Sequence, residues 1–141
     1  MSMISSAVKI HIVRLKPHDD LKRSIMAFAQ KNNITAGIIL TCVGSLEQYH
    51  LRFANQKNGK ARKDFFEILS LTGTFSNTSC HLHLSIADSS GRATGGHLLE
   101  ENFIYTTAEI ALAELSDLTF ERSIDPTYGY QELSIVAKKS N

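Results

Sequence analysis

The sequence predicts an α+β domain built on a mainly antiparallel sheet, and three observations carry that expectation. Runs that alternate apolar and polar residues, the mark of half-buried strands, recur along most of the chain. One segment alone switches to helical period. The polar stretches between strands are of hairpin length, which joins antiparallel neighbours. We expect about seven strands and one major helix in a single domain spanning residues 1–141, a length that suits one domain.

The elements follow in order. In "AVKIHIVRL" the side chains of Val8, Ile10 and Ile12 face one way and those of Lys9, His11 and Val13 the other, a strand. "KPHDDLKRSIMAFAQKNNI" changes period, with Leu21, Ile25, Phe28 and Ala29 at helical spacing. Asp19 and Asp20 mark the helix start, where acids suit the dipole, and Asn32-Asn33 mark its end. "TAGIILTCVGSLEQYHLRFA" predicts two strands around Gly44-Ser45; residues 38–43 are nearly all apolar, as in a strand covered on both faces. "NQKNGKARKD" is expected to be a polar loop. "FFEILSLTGTFS" and "HLHLSIAD" are strands, and "SSGR" turns tightly into "ATGGHLL". Residues 107–115 are rich in Ala, Glu and Leu and suit either a short helix or a strand. The alternation that continues through residues 118–124 favours a strand. "DPTYGY" is a turn and "QELSIVAK" a last strand.

Totals narrow the function. Fifteen Lys and Arg against fourteen Asp and Glu leave a net charge of +1, with no global attraction for nucleic acid. Cys42 and Cys80 are too few for a disulfide framework and fit reduced thiols in a cytosolic protein. No apolar run approaches the roughly 18 residues of a membrane helix. The N-terminus lacks the features of a signal peptide. These features predict a cytoplasmic protein with no membrane partner. No Walker loop, G-x-G-x-x-G or G-x-S-x-G occurs.

The histidines are the strongest chemical signal. His81 and His83 lie two apart on a strand, so they share a face while Leu82 and Leu84 take the other. With Ser89, Ser90 and Gly91 as a three-residue loop, Asp88 pairs with Arg92 and His83 comes to face His97. A shift of one residue in that register would put His97 on the opposite face. Three imidazoles on one face suit a divalent metal, zinc foremost, with an open fourth position. Such a site should fail below about pH 6.5, where ordinary imidazoles take a proton. An anion held by protonated rings would show the opposite trend. Polar packing at a subunit boundary is the competing reading, and catalysis a third. Gly95 and Gly96 would let another chain or a ligand come close to His97. Glu109 is a candidate further carboxylate near the histidines. Glu67 lies among apolar residues and calls for an arginine partner. Cys80 reads as a small buried hydrophobe, and His11, His18 and His50 as ordinary strand or surface residues. Lys57, Lys60, Arg62 and Lys63 form a basic cluster in the expected loop, without interleaved aromatics to stack bases.

Several phrases carry a family likeness. "GIILTCVGSLEQYHLRF", "FFEILSLTGTFS", "HLHLSIADSSGRATGGHLL", "YTTAEIALAEL" and "LTFERSIDPTYGYQEL" occur in that order, and HLH, GGH and TTAE stand in register. Over residues 8–137 the chain resembles the PPC domain, conserved in plants and prokaryotes. The resemblance implies an α+β fold on an antiparallel sheet and a homotrimer, with the HLH and GGH histidines near the trimer contacts. In plant members the domain is joined to an AT-hook and serves for assembly and for binding other proteins. Stand-alone prokaryotic members are linked to DNA by that association. Here no Arg-Gly-Arg-Pro occurs, the nearest strings being "GKARK" and "SGRAT". The expected function is homotrimeric assembly and binding, with DNA association weak or indirect, other proteins as candidate partners and no catalytic residues. The alternative is a metal-dependent enzyme or small-molecule binder that uses His81, His83 and His97.

Overall fold

The computed structural model describes residues 4–139. Among them run β1 (Val8–Leu15), α1 (Leu21–Lys31), β2 (Gly37–Arg52), β3 (Lys60–Phe75), β4 (Cys80–Asp88), β5 (Ala93–Leu98), β6 (Phe103–Leu115), β7 (Leu118–Ile124) and β8 (Gln131–Ala137). The fold is α+β and mainly antiparallel, with one helix and eight strands rather than about seven. Six strands form one sheet in the order β1-β6-β2-β3-β4-β5, all paired antiparallel. The end of β2 also meets β5, through Leu51 opposite Leu98 and Arg52 opposite His97, so the sheet curls back on itself there. β7 and β8 form a separate hairpin.

The helix begins and ends where its side chains dictate. The Asp20 carboxylate accepts from the Arg23 N–H at 3.0 Å, an N-cap that contributes about 1 kcal/mol. Asn32 closes the last turn, and Asn33 takes a φ of +50° that few residue types accept. Leu21, Ile25 and Ala29 form the buried stripe. Burying each of the two larger side chains contributes about 1.5–3 kcal/mol over leaving it in water. They join the inner sheet face, including Leu46, Ile68, Leu82, Leu84, Ile104 and Ile110, in one core.

β2 departs from the expected pair of strands. It runs sixteen residues without a break. Gly44 is the reason: its φ is +149°, and it lies so close to β6 that a Cβ would sit on the Thr107 carbonyl oxygen. A glycine that looks like a turn is here a point of close backbone approach. The expected loop of residues 55–64 is also shorter. Lys60, Arg62 and Lys63 belong to β3, opposite Leu51, Tyr49 and Gln48. Arg62 sits over the Phe66 ring and pairs with Asp64 at 2.6 Å, and of the basic cluster only Lys57 stays in the loop. Residues 107–115 are strand, and β6 starts earlier, at Phe103.

The β7–β8 hairpin is held by a second small core of Ala36, Leu118 and Phe120, with Leu133 against it. The Phe120 N–H donates to the Thr35 carbonyl at 2.9 Å. Farther along, the Arg122 guanidinium donates to Thr74 Oγ1 of β3 at 2.8 Å. These contacts carry the hairpin across to the β4–β5 corner.

Candidate metal centre

β4 alternates as its sequence requires. Leu82, Leu84 and Ile86 are buried, while His81 and His83 point outward and are exposed. The turn that follows is fixed by Asp88. Its N–H donates to the Arg92 carbonyl at 3.0 Å, and its carboxylate accepts from Ser90 and from the Arg92 N–H. The Ser90 hydroxyl foremost, with those backbone donors, holds the Asp88 carboxyl below its ordinary value. The resulting register sets Ala87 opposite Ala93 and His83 opposite His97. It is the register that a three-residue loop demands.

The three rings converge. His81 and His83 centroids lie 5.0 Å apart, His81 and His97 5.2 Å, and His83 and His97 5.7 Å. One nitrogen from each lies within 4.8 Å of the others. Nε2 of His81 is 3.2 Å from Nε2 of His83. An ion bound tetrahedrally at 2.0–2.1 Å sets its nitrogens about 3.3 Å apart, so the group closes on a metal with small ring movements. Nδ1 of His97 is buried and has no hydrogen-bond partner among the described residues. Buried polar nitrogens are nearly always satisfied, and a metal ion is one way to satisfy this one. The three-histidine group could hold a metal.

Two of the rings are also poised neutral. Burial first, then the charges of Arg52 and His81, lowers the His97 pKa to about 4. Burial, followed by His83 and Arg122, lowers that of His81 as well. A metal needs the neutral ring, so these two ligands stay available below the pH 6.5 limit expected from ordinary imidazoles. What approaches at Gly95 and Gly96 is this chain itself. A Cβ on Gly95 would lie 2.7 Å from the Leu84 carbonyl oxygen, and one on Gly96 2.7 Å from that of Arg52. The glycines serve the β2–β5–β4 corner that seats His97.

The remaining candidates lie elsewhere. Glu109 is exposed on β6, opposite Arg14 and Val43, and does not join the histidine group within this chain. Between the buried Ala108 and Ile110 it takes the outer face, and strand order puts β2 and β3 between β6 and β4. Glu67 is exposed and has no arginine partner among the described residues, because its neighbours Phe66 and Ile68 take the core face. Cys80 is half-buried, and burial pushes its thiol up, which argues against a thiolate nucleophile. His11 bonds Glu114 at 2.8 Å, His18 bonds Glu47 at 2.6 Å, and His50 bonds the Glu100 carbonyl at 3.0 Å. Two arginines beside the histidines had no local signal. Arg52 arrives through the β2–β5 contact, and Arg122 through the hairpin.

A family model described as the Plants and Prokaryotes Conserved (PCC) domain matches residues 3–116. The chain belongs to this family. The matched region ends before β7, short of the residue 137 suggested by the phrase-level likeness. The PCC-domain chain is 42% identical over 131 residues to the bifunctional protein GlmU of Synechococcus sp. (strain JA-3-3Ab), covering 93% of this chain and 21% of that protein. It is 31% identical over 97 residues to AT-hook motif nuclear-localized protein 13 of Arabidopsis thaliana, covering 61% of this chain and 22% of that one. It therefore spans about a fifth of the length of the curated relatives it matches. Among solved structures, a hypothetical protein from Salmonella matches with a TM-score of 0.95 at 35% identity, over 96% of this chain and 99% of that one. A metal-containing protein from Archaeoglobus fulgidus matches with a TM-score of 0.80 at 26% identity, over 95% and 99%. No helix among the described residues is long and apolar enough to cross a membrane.

Proposed function

We propose that this PCC-domain protein is a homotrimeric assembly and binding module that holds a divalent metal between His81, His83 and His97. The observation that carries the reading is the convergence of three imidazole nitrogens within 4.8 Å, with one buried nitrogen unpartnered. An all-nitrogen donor set of three suits zinc and leaves a position open. A metal there would supply a Lewis acid able to polarise a bound oxygen. That the Archaeoglobus relative is a metal-containing protein supports this reading.

Self-association is supported by the sheet face turned away from the helix. Ile10, Ile12, Leu40, Val43 and Leu69 are exposed there, more apolar side chain than a lone domain usually leaves in water. Two unpaired cysteines with no disulfide fit a cytoplasmic address. The AT-hook relative raises association with DNA as a second reading. A net charge of +1 and a basic run fixed on β3 argue for weak or indirect contact. Sequence-selective binding that survives physiological salt would contradict that, since phosphate contacts weaken steeply with salt.

The test is elemental analysis of the chain purified without a histidine tag. About one zinc or other divalent ion per chain, removed by chelator and restored stoichiometrically, is the expected result. A chain that takes up no divalent metal at neutral pH overturns the metal centre.

A further inference from the structure

Beside the histidines lies a cavity of about 360 Å³. That is at the small end of ligand-binding cavities, so an occupant would be a small molecule. His81 and His97 form one side. The far side is the β7–β8 hairpin and the turn before β8, which supply Arg122, Tyr130 and Glu132. That wall lies beyond residue 116, where the family match ends. Arg52 enters from the end of β2, directly opposite His97 in register.

The two arginines are half-buried and underused. Arg122 donates to Thr74 Oγ1 at 2.8 Å, and Arg52 makes one long bond of 3.5 Å to the Gln56 carbonyl. Neither guanidinium has a carboxylate within 4.0 Å among the described residues; every arginine ion pair there involves Arg23 or Arg62. Each guanidinium carries five N–H donors, so most of theirs are free. Guanidiniums in this state are the usual seat of carboxylates and phosphates. Glu132 is the cavity's one carboxylate against these two cations. The positive field of Arg52, Arg122 and Lys22 reaches His81 and His97. That field opposes a bare divalent cation, and an anion bound alongside would relieve it.

We propose that the cavity binds a small hydroxycarboxylate, its carboxylate held by Arg52 and Arg122 and an oxygen directed to the open position at His81, His83 and His97. The proposal rests on the metal reading above. Cys80 and Tyr130, with the polar Ser79 and Gln131, complete the lining, and the first two leave room for the carbon of an occupant. Glu132 offers an acceptor to a hydroxyl, the group a hydroxycarboxylate carries beside its carboxylate. The hairpin, by contributing Arg122 and Glu132, sets which acid is accepted. Binding is reciprocal: the carboxylate tightens the metal by the same factor that the metal tightens the carboxylate.

The experiment uses the full chain, untagged, stripped by chelator and reloaded with cobalt(II), whose visible absorption reports on the centre. Lactate titrated into it should give a saturable spectral change. Arg52→Gln and Arg122→Gln should each raise the half-saturating lactate about tenfold or more, the loss expected for a hydrogen bond to a charged group. Cobalt uptake in both variants should be at least as tight as in the parent, since a nearby cation has been removed. Arg122→Gln also breaks the bond to Thr74, so Arg52→Gln carries the test if circular dichroism shows the former misfolded. Variants that bind cobalt and titrate with lactate like the parent overturn the carboxylate subsite while leaving the metal centre standing. Inorganic phosphate that binds as tightly as lactate overturns the hydroxycarboxylate assignment. If the parent takes up no cobalt, calorimetry of lactate with the metal-free chain decides: Arg52-dependent binding retains the subsite without the metal, and no binding overturns it.

Discussion

Nε2 of His81 lies 3.2 Å from Nε2 of His83. One of the two must carry the proton if they bond to each other, and neither can carry it there when both ligate a metal. Metal binding therefore replaces a ring-to-ring hydrogen bond with two coordinate bonds and moves the remaining proton to Nδ1. A pair built only for packing would give up that hydrogen bond on the exchange. A pair built for a metal gains the stronger interaction.

Removing one ring should abolish the site and spare the fold. His83 is exposed and its neighbours Leu82 and Leu84 carry the core contacts. We expect His83→Ala to retain less than about a tenth of the parent's bound metal, with three-ligand sites depending on every ligand. Its circular dichroism and melting in the metal-free state should match the parent. A variant that keeps full metal content shows that the ion sits elsewhere.

The metal-free chain should lose stability as pH falls from neutral toward 4. The His97 pKa is lowered to about 4, so the folded chain refuses a proton that the unfolded chain accepts below about 6.5. His81 is shifted in the same direction. In that window the unfolded state binds more protons, so stability rises with pH and falls with acid. Above 6.5 both states are neutral and the effect is absent. Melting temperature measured from pH 7.5 to 4 should decline more steeply in the parent than in His97→Gln. Equal slopes would show that His97 titrates normally.

Metal uptake should follow the same groups. Because burial lowers the pKa of His97 and of His81, acid should strip the metal at a lower pH than it would from three ordinary imidazoles. Dialysis against buffered zinc with elemental readout measures this. Uptake that increases in acid would point instead to an anion on protonated rings.

Charging the exposed sheet face should break the proposed trimer. Ile12 is 75% exposed on β1, where a lone domain gains nothing from an isoleucine. Ile12→Asp should shift the mass seen by light scattering from three chains toward one, while the monomer stays folded. Obligate interfaces are large and apolar, and a buried unpaired carboxylate is not tolerated there. A parent that is monomeric at micromolar concentration rules out the trimer.

Gly44→Ala should cost about 1–3 kcal/mol, in the range of a residue forced into a disfavoured backbone region. Its φ of +149° and the Thr107 carbonyl against it leave no room for a methyl group. Denaturation midpoints at fixed protein concentration measure the loss. An unchanged midpoint would mean that β2 can bend away from β6 without cost.

The sequence by itself determined what depends on neighbours along the chain. Period-two runs made β1, β3, β4 and β7, and Asp20 and Asn32 bounded the helix. The loop of Ser89, Ser90 and Gly91 was enough to put His83 opposite His97, because hairpin register follows from loop length. Tertiary structure decided the rest. Gly44 signals a turn locally, yet the approach of β6, more than sixty residues later, makes it a continuous strand position. Glu109 belongs to a familiar phrase, but strand order sends it across the sheet from the histidines. Arg52 and Arg122 reach them through the β2–β5 corner and the packed hairpin. Such contacts are chosen by burial of the whole apolar surface at once, which is a property of the assembled core and not of any window of sequence.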